Sequence, residues 1–244
     1  MQTRVIVSGA AGHMGRIVVD NVNNEQDMIL AGCVDPYAEG MADSVKDITE
    51  EADVVIDFSS HEGTNELLDA CVEKNLPVVL CTTGQTEEEL QMIKDASEKI
   101  AVFRSANMSV GVALTAKIVQ EVAAAFSGSE IEIVEAHHNR KMDAPSGTAL
   151  MLADAAKKSR SGAKYVQGRS GHGKREKDDI GINSIRMGNI VGMHEVMFGT
   201  NTQTITIKHE AHDRALFADG AIDAARFLAG KEPGMYDMDD LLAE

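Results

Sequence analysis

The segment from residue 137 to residue 148 places two imidazoles, an amine and a Ser-Gly-Thr turn within twelve residues. His137 and His138 end an alternating run of apolar and polar residues, and Lys141 follows three residues later. An imidazole, with an ordinary pKa of about 6.5, and a cationic amine both donate protons near neutral pH. We therefore predict that one of the two imidazoles, together with Lys141, supplies a proton to a reacting group.

The same segment contains an anion-binding pattern. Ser146, Gly147 and Thr148 open an Ala/Leu-rich helical pattern, and amides at a helix start bind carboxylates, assisted by nearby hydroxyls. Neighbouring residues of a strand point to opposite sides, so one of His137 and His138 faces the reacting atom while the other holds substrate or framework. Arg214 adds positive charge in an otherwise acidic chain. We predict that these residues bind the substrate.

Two other interpretations of the segment remain. In a purely structural one, Ser146 and Thr148 cap the helix and the histidines pair with Glu132 or Glu135. In the other, zinc is bound by histidines, for which the candidates are His137, His138, His194, His209 and His212. Their spacing matches no HExxH pattern and adjacent histidines rarely share a metal ion, so we expect no metal.

A glycine-rich turn lies near the start of the chain, between a strand pattern and a helical pattern. Glycines allow the backbone to approach a pyrophosphate, which the amides of the helix N-terminus then bind. Asp35 follows the next strand, twenty residues after the turn, where a carboxylate hydrogen-bonds a ribose diol. The predicted dinucleotide-binding residues of the turn are Gly9, Ala10, Ala11, Gly12, His13, Met14 and Gly15.

Two further loops follow strands of the same predicted sheet. Small and hydroxyl-bearing residues at the carboxyl ends of such strands favour contact with a dinucleotide, although they are also ordinary turn residues. The residues concerned are Cys81, Thr82 and Thr83 in one loop and Ser105, Ala106, Asn107 and Met108 in the other.

Asp35 also predicts which nicotinamide cofactor is preferred. Its carboxylate repels a 2′-phosphate, and the following Pro36 and Tyr37 supply no cation to bind one. We therefore expect NADH to be preferred, with NADPH possible because Arg16 could reach a phosphate.

Five short apolar runs alternate with helical patterns over the first hundred residues, at 3–8, 28–34, 53–58, 77–81 and 100–103. This alternation predicts an α/β fold with a doubly wound, Rossmann-type parallel sheet. The order of predicted elements changes after the fifth strand. A long helix at 110–126 is followed by a strand at 130–134, a helix at 148–157 and a polar loop at 161–179. Half-apolar strands at 180–187, 193–199 and 203–209 predict a second α+β domain with a mixed, largely open sheet.

A final amphipathic helix at 214–229 is expected to return to the first domain. We therefore predict a dinucleotide-binding domain of residues 1–106 and 215–244. Residues 107–214 are predicted to form a substrate-binding and oligomerisation domain.

Composition limits the classes of partner. A net charge of −16 over 244 residues argues against nucleic acid as a partner, since nucleic-acid binders usually carry a basic stripe. No apolar run approaches the length of a membrane span, so no membrane partner is expected. The three cysteines have no metal-binding or disulfide spacing, which indicates reduced thiols and a cytoplasmic protein.

The segment from Glu132 to Ala149 matches the pattern E-x-x-E-x-H-x-x-x-K-x-D-x-P-S-G-T-A at every fixed position. In this pattern, and over nearly its whole length, the chain resembles the dihydrodipicolinate reductase (4-hydroxy-tetrahydrodipicolinate reductase) family. Further matching segments are the glycine turn at 9–15 and the stretches at 57–59, 62–64, 82–84, 107–111, 186–194, 209–214 and 217–221.

The resemblance implies NAD(P)H-dependent reduction of 4-hydroxy-tetrahydrodipicolinate to tetrahydrodipicolinate, a step of lysine (diaminopimelate) biosynthesis. His137 matches the family's proton donor and Lys141 its partner acid, while His138, Gly147 and Thr148 match contacts to a substrate carboxylate. Family members are typically homotetramers joined through the second domain's sheet. The alternatives are another two-domain nicotinamide-dependent dehydrogenase acting on an amino acid, or a non-catalytic NAD-sensing protein.

Overall fold

Apolar strands and amphipathic helices build two sheets, each of which lies in a separate unit of the chain. A computed structural model describes residues 2–244. The first unit comprises the chain up to Ser109 together with Ala215–Glu244, and the second comprises Val110–Arg214. The polypeptide thus leaves the first unit after its fifth strand and returns with a helix.

The secondary structure follows the predicted alternation in the first half of the chain. The strands are β1 (Thr3–Ser8), β2 (Met28–Val34), β3 (Val54–Asp57), β4 (Val78–Leu80), β5 (Ala101–Arg104), β6 (Glu130–His137), β7 (Lys164–Gln167), β8 (Asp179–Arg186), β9 (Gly192–Gly199), β10 (Thr204–Ala211) and β11 (Gly234–Tyr236). The helices are α1 (His13–Asn24), α2 (Thr64–Lys74), α3 (Glu87–Ser97), α4 (Val110–Ala125), α5 (Gly147–Lys157), α6 (Ala215–Leu228) and α7 (Met238–Leu241), with 3₁₀ turns at Val45–Asp47 and His61–Gly63.

The first unit contains a six-stranded parallel sheet in the order β11-β5-β4-β3-β1-β2. Val54, Val55 and Ile56 in the central strand β3 are fully buried, as expected for a strand covered on both faces. Helix α1 packs with α6, and α2 packs with α3. The prediction of a doubly wound, Rossmann-type parallel sheet is confirmed. The edge strand β11 and helix α7 were not predicted.

The second unit contains a five-stranded mixed sheet in the order β10-β9-β6-β8-β7. Strands β6, β8 and β7 run parallel, whereas β9 lies antiparallel to both β6 and β10. Alternate residues of β6, including Ile131 and Ile133, pack into a core with Leu152 of α5 and Phe198 of β9. This arrangement confirms the predicted second domain with a mixed sheet.

One element in the second unit differs from the sequence prediction. The polar loop predicted at 161–179 contains the short strand β7, which pairs with β8 through Tyr165 opposite Ile180. The strand is only four residues long and lies at the sheet edge. Its two apolar residues stand between polar ones, so the sequence shows no distinct strand pattern there. The predicted loop is therefore wrong over Lys164–Gln167.

Among residues 2–244, the structure has no helix both long and apolar enough to cross a membrane.

The glycine turn between β1 and α1 gives a first testable prediction. A Cβ atom at Gly15 would lie 2.0 Å from the Gly9 carbonyl oxygen, so Gly15→Ala must displace backbone. The alanine gains about 1 kcal/mol of helix propensity, which the forced backbone shift should exceed. We expect a net loss of about 1–3 kcal/mol in the free energy of unfolding, measured by urea denaturation.

Gly63→Ala is the matched control in the same unit, because a Cβ there meets nothing within 4 Å. Equal stability of the two variants would contradict the close approach at Gly15.

Candidate functional site

The turn after β1 has the backbone geometry of an anion cradle. Gly9 adopts φ +73°, and a Cβ on it would lie 2.6 Å from the Phe58 carbonyl oxygen. Helix α1 begins at His13 with Gly12 as its N-cap, and no side chain caps its first amides. Ala10 is buried, whereas Gly12 and His13 are exposed. Backbone amides without a side-chain cap at a helix N-terminus suit a phosphate group.

Asp35 lies at the end of β2 and is fixed to the same turn. One carboxylate oxygen accepts a hydrogen bond from the Ala11 amide at 3.1 Å, and the other accepts one from the Tyr37 amide at 3.1 Å. These bonds hold the carboxylate beside the glycine turn. The sequence-predicted association of Asp35 with the turn is therefore present in the structure.

A cavity of about 520 Å³ in the first unit lies against the glycine turn and Asp35. Four of the residues that line it are acidic, and no Lys or Arg lines it in the part of the chain that the structure describes. Gly9 and Gly12 face this cavity, whereas the loops at 81–83 and 105–108 do not line it. The acidic lining residues are Asp35, Asp43, Glu62 and Glu66.

The loop after β4 is anchored by Asp57, a residue that the sequence interpretation did not single out as functional. Its buried carboxylate accepts hydrogen bonds from the Thr82 hydroxyl at 2.7 Å and the Ser59 hydroxyl at 2.6 Å. Burial raises the pKa of Asp57 despite these hydrogen bonds. The Cys81 thiol is also buried, and burial raises its pKa well above the usual value. Thr83 is exposed.

The loop after β5 is ordered by its own polar groups. The Ser105 hydroxyl donates to the Asn107 carbonyl at 2.9 Å, and the Asn107 side-chain oxygen accepts from the Ser109 amide at 2.8 Å. Met108 is buried and Ala106 is exposed. The loop thus has a fixed conformation just before α4 begins.

In the second unit, one fully buried carboxylate organises the residues predicted to do chemistry. Glu135 on β6 accepts two hydrogen bonds from the guanidinium of Arg186 on β8, with N–O distances of 2.8 and 2.7 Å. His137 Nδ1 lies 2.5 Å from the same carboxylate, and the Ser146 amide donates to it at 3.3 Å. Burial alone would raise the pKa of Glu135, but hydrogen bonds from His137, Arg186 and Ser184 outweigh it and hold that pKa well below the usual range. Glu135 is therefore ionised.

His194 on β9 completes this buried cluster. Its ring packs edge-on against the His137 ring, with centroids 5.1 Å apart. Burial and the neighbouring His137 lower the pKa of His194 to about 4, so this ring is neutral near pH 7. His194 Nε2 lies 3.0 Å from the Ser146 hydroxyl, which also accepts from the Ala149 amide at the start of α5. The Ser146 hydroxyl is thus engaged within the protein as a helix cap.

The other predicted substrate residues lie on the loop after β6. His138 Nε2 is 3.3 Å from an Arg214 nitrogen, and burial together with Arg140 and Arg214 lowers the pKa of His138. The Lys141 amine lies 2.9 Å from Asp143, which is half-exposed. This pairing lowers the pKa of Asp143, chiefly through the hydrogen bond from Lys141.

Within the described residues 2–244, possible metal-ligand atoms of Glu135, His137 and His194 lie within 4.8 Å of one another. The two guanidinium contacts from Arg186 already occupy both carboxylate oxygens of Glu135. A divalent cation would have to displace this guanidinium or bind beside its positive charge. The arrangement therefore suits an ion pair better than a metal.

The sequence interpretation identified His137 but did not give Glu135, Arg186 and His194 a joint role. The pairing of a histidine with Glu135, expected in the purely structural interpretation, is present, because residues two apart on a strand share a face and the pattern E-x-H places them so. Arg186 and His194 are more than 50 residues from Glu135 and meet it only through the pairing of β6 with β8 and β9. No local sequence signal indicates such partners.

This geometry joins a possible proton donor to the start of a helix. The His137 imidazole and the N-terminus of α5 are held by the same ionised carboxylate, with the cation of Arg186 beside them. A helix start attracts anions, and an imidazole held by a carboxylate can carry a transferable proton. The second unit therefore has the parts needed to bind a carboxylate and to move a proton.

Comparison with known proteins gives matches along almost the whole chain. The family model described as dihydrodipicolinate reductase, N-terminus, matches residues 3–108, and that of the C-terminus matches residues 111–242. A 4-hydroxy-tetrahydrodipicolinate reductase from Caldanaerobacter subterraneus subsp. tengcongensis is 43% identical over 248 residues, covering 99% of each chain. One from Clostridium novyi is 42% identical over 247 residues and covers 98% of each chain.

Among solved structures, a dipicolinate-bound dihydrodipicolinate reductase from Paenisporosarcina sp. TG-14 superposes with a TM-score of 0.83. It is 26% identical in sequence, and the match covers 97% of this chain and 98% of that one. Sequence and fold agree, and the chain belongs to the dihydrodipicolinate reductase family.

Proposed function

We propose that this chain is an oxidoreductase that reduces 4-hydroxy-tetrahydrodipicolinate to tetrahydrodipicolinate in lysine biosynthesis, with a nicotinamide dinucleotide as reductant. The reductases that it resembles over its full length carry this name. The observation that carries the proposal is the attachment of His137 and the start of α5 to one buried carboxylate. This arrangement supplies a proton donor and a carboxylate-binding helix end together.

The first unit is proposed to bind the dinucleotide. The uncapped amides of α1 fit a pyrophosphate, and Asp35 beside them fits a ribose diol. The turn residues Gly9 to Gly15 would make these contacts. The remaining proposed contacts, which follow strands β4 and β5, are Cys81, Thr82, Thr83, Ser105, Ala106, Asn107 and Met108. When bound, the reduced nicotinamide supplies a hydride.

NADH is proposed as the preferred form of the cofactor. The cavity beside the turn is lined by four carboxylates and no cation among the described residues, so a 2′-phosphate would meet only negative charge there. Arg16 directly follows the glycine turn in the sequence and is exposed in the first turn of α1. It is the cationic residue nearest to the glycine turn along the chain. NADPH therefore remains usable but weaker.

The second unit is proposed to bind the cyclic dicarboxylate. Gly147 and Thr148 form the first residues of α5, whose dipole favours a carboxylate at this end. His138 and Arg214 lie together and add a hydrogen-bond donor and a fixed positive charge. Ser146 contributes by fixing the helix start, since its hydroxyl is already engaged.

Protonation of the substrate is proposed to come from His137, with Lys141 as the partner acid. Addition of a hydride to the conjugated substrate leaves negative charge that a nearby acid must neutralise. The cation of Lys141 stabilises that developing charge electrostatically. Asp143 holds the Lys141 amine in place at 2.9 Å.

A homotetramer joined through the sheet of the second unit is proposed as the assembled form. The sheet face opposite α4 and α5 carries a row of apolar side chains from neighbouring strands, in which Ala136 pairs with Ile185 and Met193. Ile185 is 41% exposed, which suits burial against another subunit. The three free cysteines fit a reducing, cytoplasmic setting.

Removal of either proposed acid should lower turnover without abolishing binding. We expect His137→Ala and Lys141→Ala to reduce kcat by about 100-fold or more, the usual range for acid catalysis. Thr148→Val should instead raise KM for the dicarboxylate, because it removes a binding contact. The measurement is oxidation of NADH with freshly generated substrate. Wild-type protein that binds NADH but shows no substrate-dependent oxidation would refute the proposed function.

The cofactor proposal predicts a higher kcat/KM with NADH than with NADPH. Asp35→Ala should narrow this ratio by about tenfold or more, because the carboxylate no longer repels a phosphate or binds the ribose diol. Asp20→Ala, an exposed carboxylate on α1, is the control and should leave the ratio unchanged. A clear NADPH preference in the wild type would show that the acidic cavity does not govern the choice.

The assembly proposal predicts a particle of four times the chain mass of 26.2 kDa in light scattering. Ile185→Glu places a charge on the exposed apolar row and should shift the mass toward smaller species. A wild-type mass of 26.2 kDa would contradict the tetramer.

A further inference from the structure

We propose that Glu135, held by Arg186, is the positioning residue of this site: it fixes the tautomer and orientation of His137 and aligns the proton donor with the carboxylate-binding helix start. The inference rests on the proposed reductase function and adds residues that act through His137 without touching substrate. Glu135 is fully buried on β6, so it cannot act as an acid or base for a solvent-exposed group.

The contact between Glu135 and His137 defines which ring nitrogen carries hydrogen. An ionised carboxylate only accepts hydrogen bonds, so the nitrogen 2.5 Å away, Nδ1, must be the donor. Nε2 is then the nitrogen available for transferring a proton. A carboxylate that holds an imidazole in one tautomer also stabilises its protonated form.

Gly192 keeps space beside that second nitrogen. A Cβ atom at this position would lie 3.3 Å from His137 Nε2, tighter than an ordinary contact. The glycine at the start of β9 therefore leaves Nε2 unobstructed on this side. Glu135 thus holds Nδ1 of the His137 ring, and Gly192 leaves space beside Nε2.

Arg186 keeps the positioning carboxylate charged and oriented. Its two contacts to Glu135, at 2.8 and 2.7 Å, hold the carboxylate plane in one orientation. The same guanidinium donates to the Asp143 carbonyl at 2.6 Å, which ties it to the loop that carries Lys141. A buried carboxylate without such a partner would take up a proton and lose its hold on His137.

The second oxygen of Glu135 fixes the helix start relative to His137. The Ser146 amide donates to Oε1 at 3.3 Å, while His137 contacts Oε2 at 2.5 Å. The Ser146 side chain, in turn, caps α5 and contacts His194. One carboxylate thereby sets the distance between the proton donor and the amides proposed to bind substrate.

Glu135 also supplies negative charge beside the His137 ring. The titratable and charged groups around His137 are Glu135 on its own strand, Arg186 on β8, His194 on β9, with His209 of β10 beyond it, and His138 and Lys141 on the following loop. Glu135 is the one negative group among these six residues. Its neutralisation removes the acceptor that holds hydrogen on Nδ1 of His137.

The test is Glu135→Gln in the full-length protein, with kcat and KM measured. The amide keeps the shape and one oxygen acceptor for Arg186 Nη2 and the Ser146 amide. It removes the charge and presents an N–H₂ group to His137 and to Arg186 Nη1. We expect kcat to fall by about 100-fold and KM for the dicarboxylate to change by less than about threefold.

Two variants distinguish positioning from general damage. Glu135→Asp retains the charge one methylene further from the ring, so it should recover at least about tenfold of the lost kcat. Glu121→Gln makes the same chemical change at an exposed position on α4 and should behave as wild type. Wild-type kcat in Glu135→Gln would overturn the inference.

The outcomes separate this inference from the proposed function. Absence of substrate-dependent NADH oxidation in the wild type refutes the function, whereas an active wild type with an equally active Glu135→Gln refutes only the positioning role. If Glu135→Gln fails to fold, ¹⁵N spectra of histidine-labelled wild type decide, with His137 assigned by its loss in His137→Ala. Hydrogen on Nδ1 of the neutral ring supports the inference, and hydrogen on Nε2 overturns it.

Discussion

Glu135 carries a negative charge inside the second unit, and burying such a charge costs on the order of several kcal/mol unless cations and N–H groups surround it. Arg186 on β8, His137 on β6 and the amide of Ser146 before α5 meet this requirement together. The strand pairing and the helix start must therefore take one arrangement relative to each other. The need to satisfy one buried carboxylate thus shapes the site.

The chain separates two electrostatic tasks between its units. The first unit presents an acidic cavity beside uncapped helix amides, where the backbone instead of side-chain cations would bind a pyrophosphate. The second unit places Lys141 and Arg214 in and beside one loop of a protein whose net charge is −16, whereas the charge of Arg186 is balanced by Glu135. An anionic substrate would therefore find its attractive field concentrated at this loop.

Much of the fold follows from local patterns in the sequence. Buried strands such as β3 contain continuous apolar runs, here Val54, Val55 and Ile56. Gly9 and Gly15 lie where a Cβ atom would collide with backbone. Strand Lys164–Gln167 was missed because an edge strand of four residues lacks a distinct apolar pattern. In the candidate site, the role of His137 could be predicted from the residues next to it in the sequence. The contact of Arg186 with Glu135 could not, because it depends on strand pairing across 51 residues.

The central claim is that the His137 ring and the first amides of α5, held in register by Glu135, form one carboxylate-binding and proton-donating site. A crystal structure with reduced cofactor and pyridine-2,6-dicarboxylate would test it most directly. The account predicts one ligand carboxylate at the amides of Gly147 and Thr148, with His137 Nε2 directed at the ring and Nδ1 still on Glu135. A ligand bound elsewhere, or an imidazole turned away from Glu135, would contradict it.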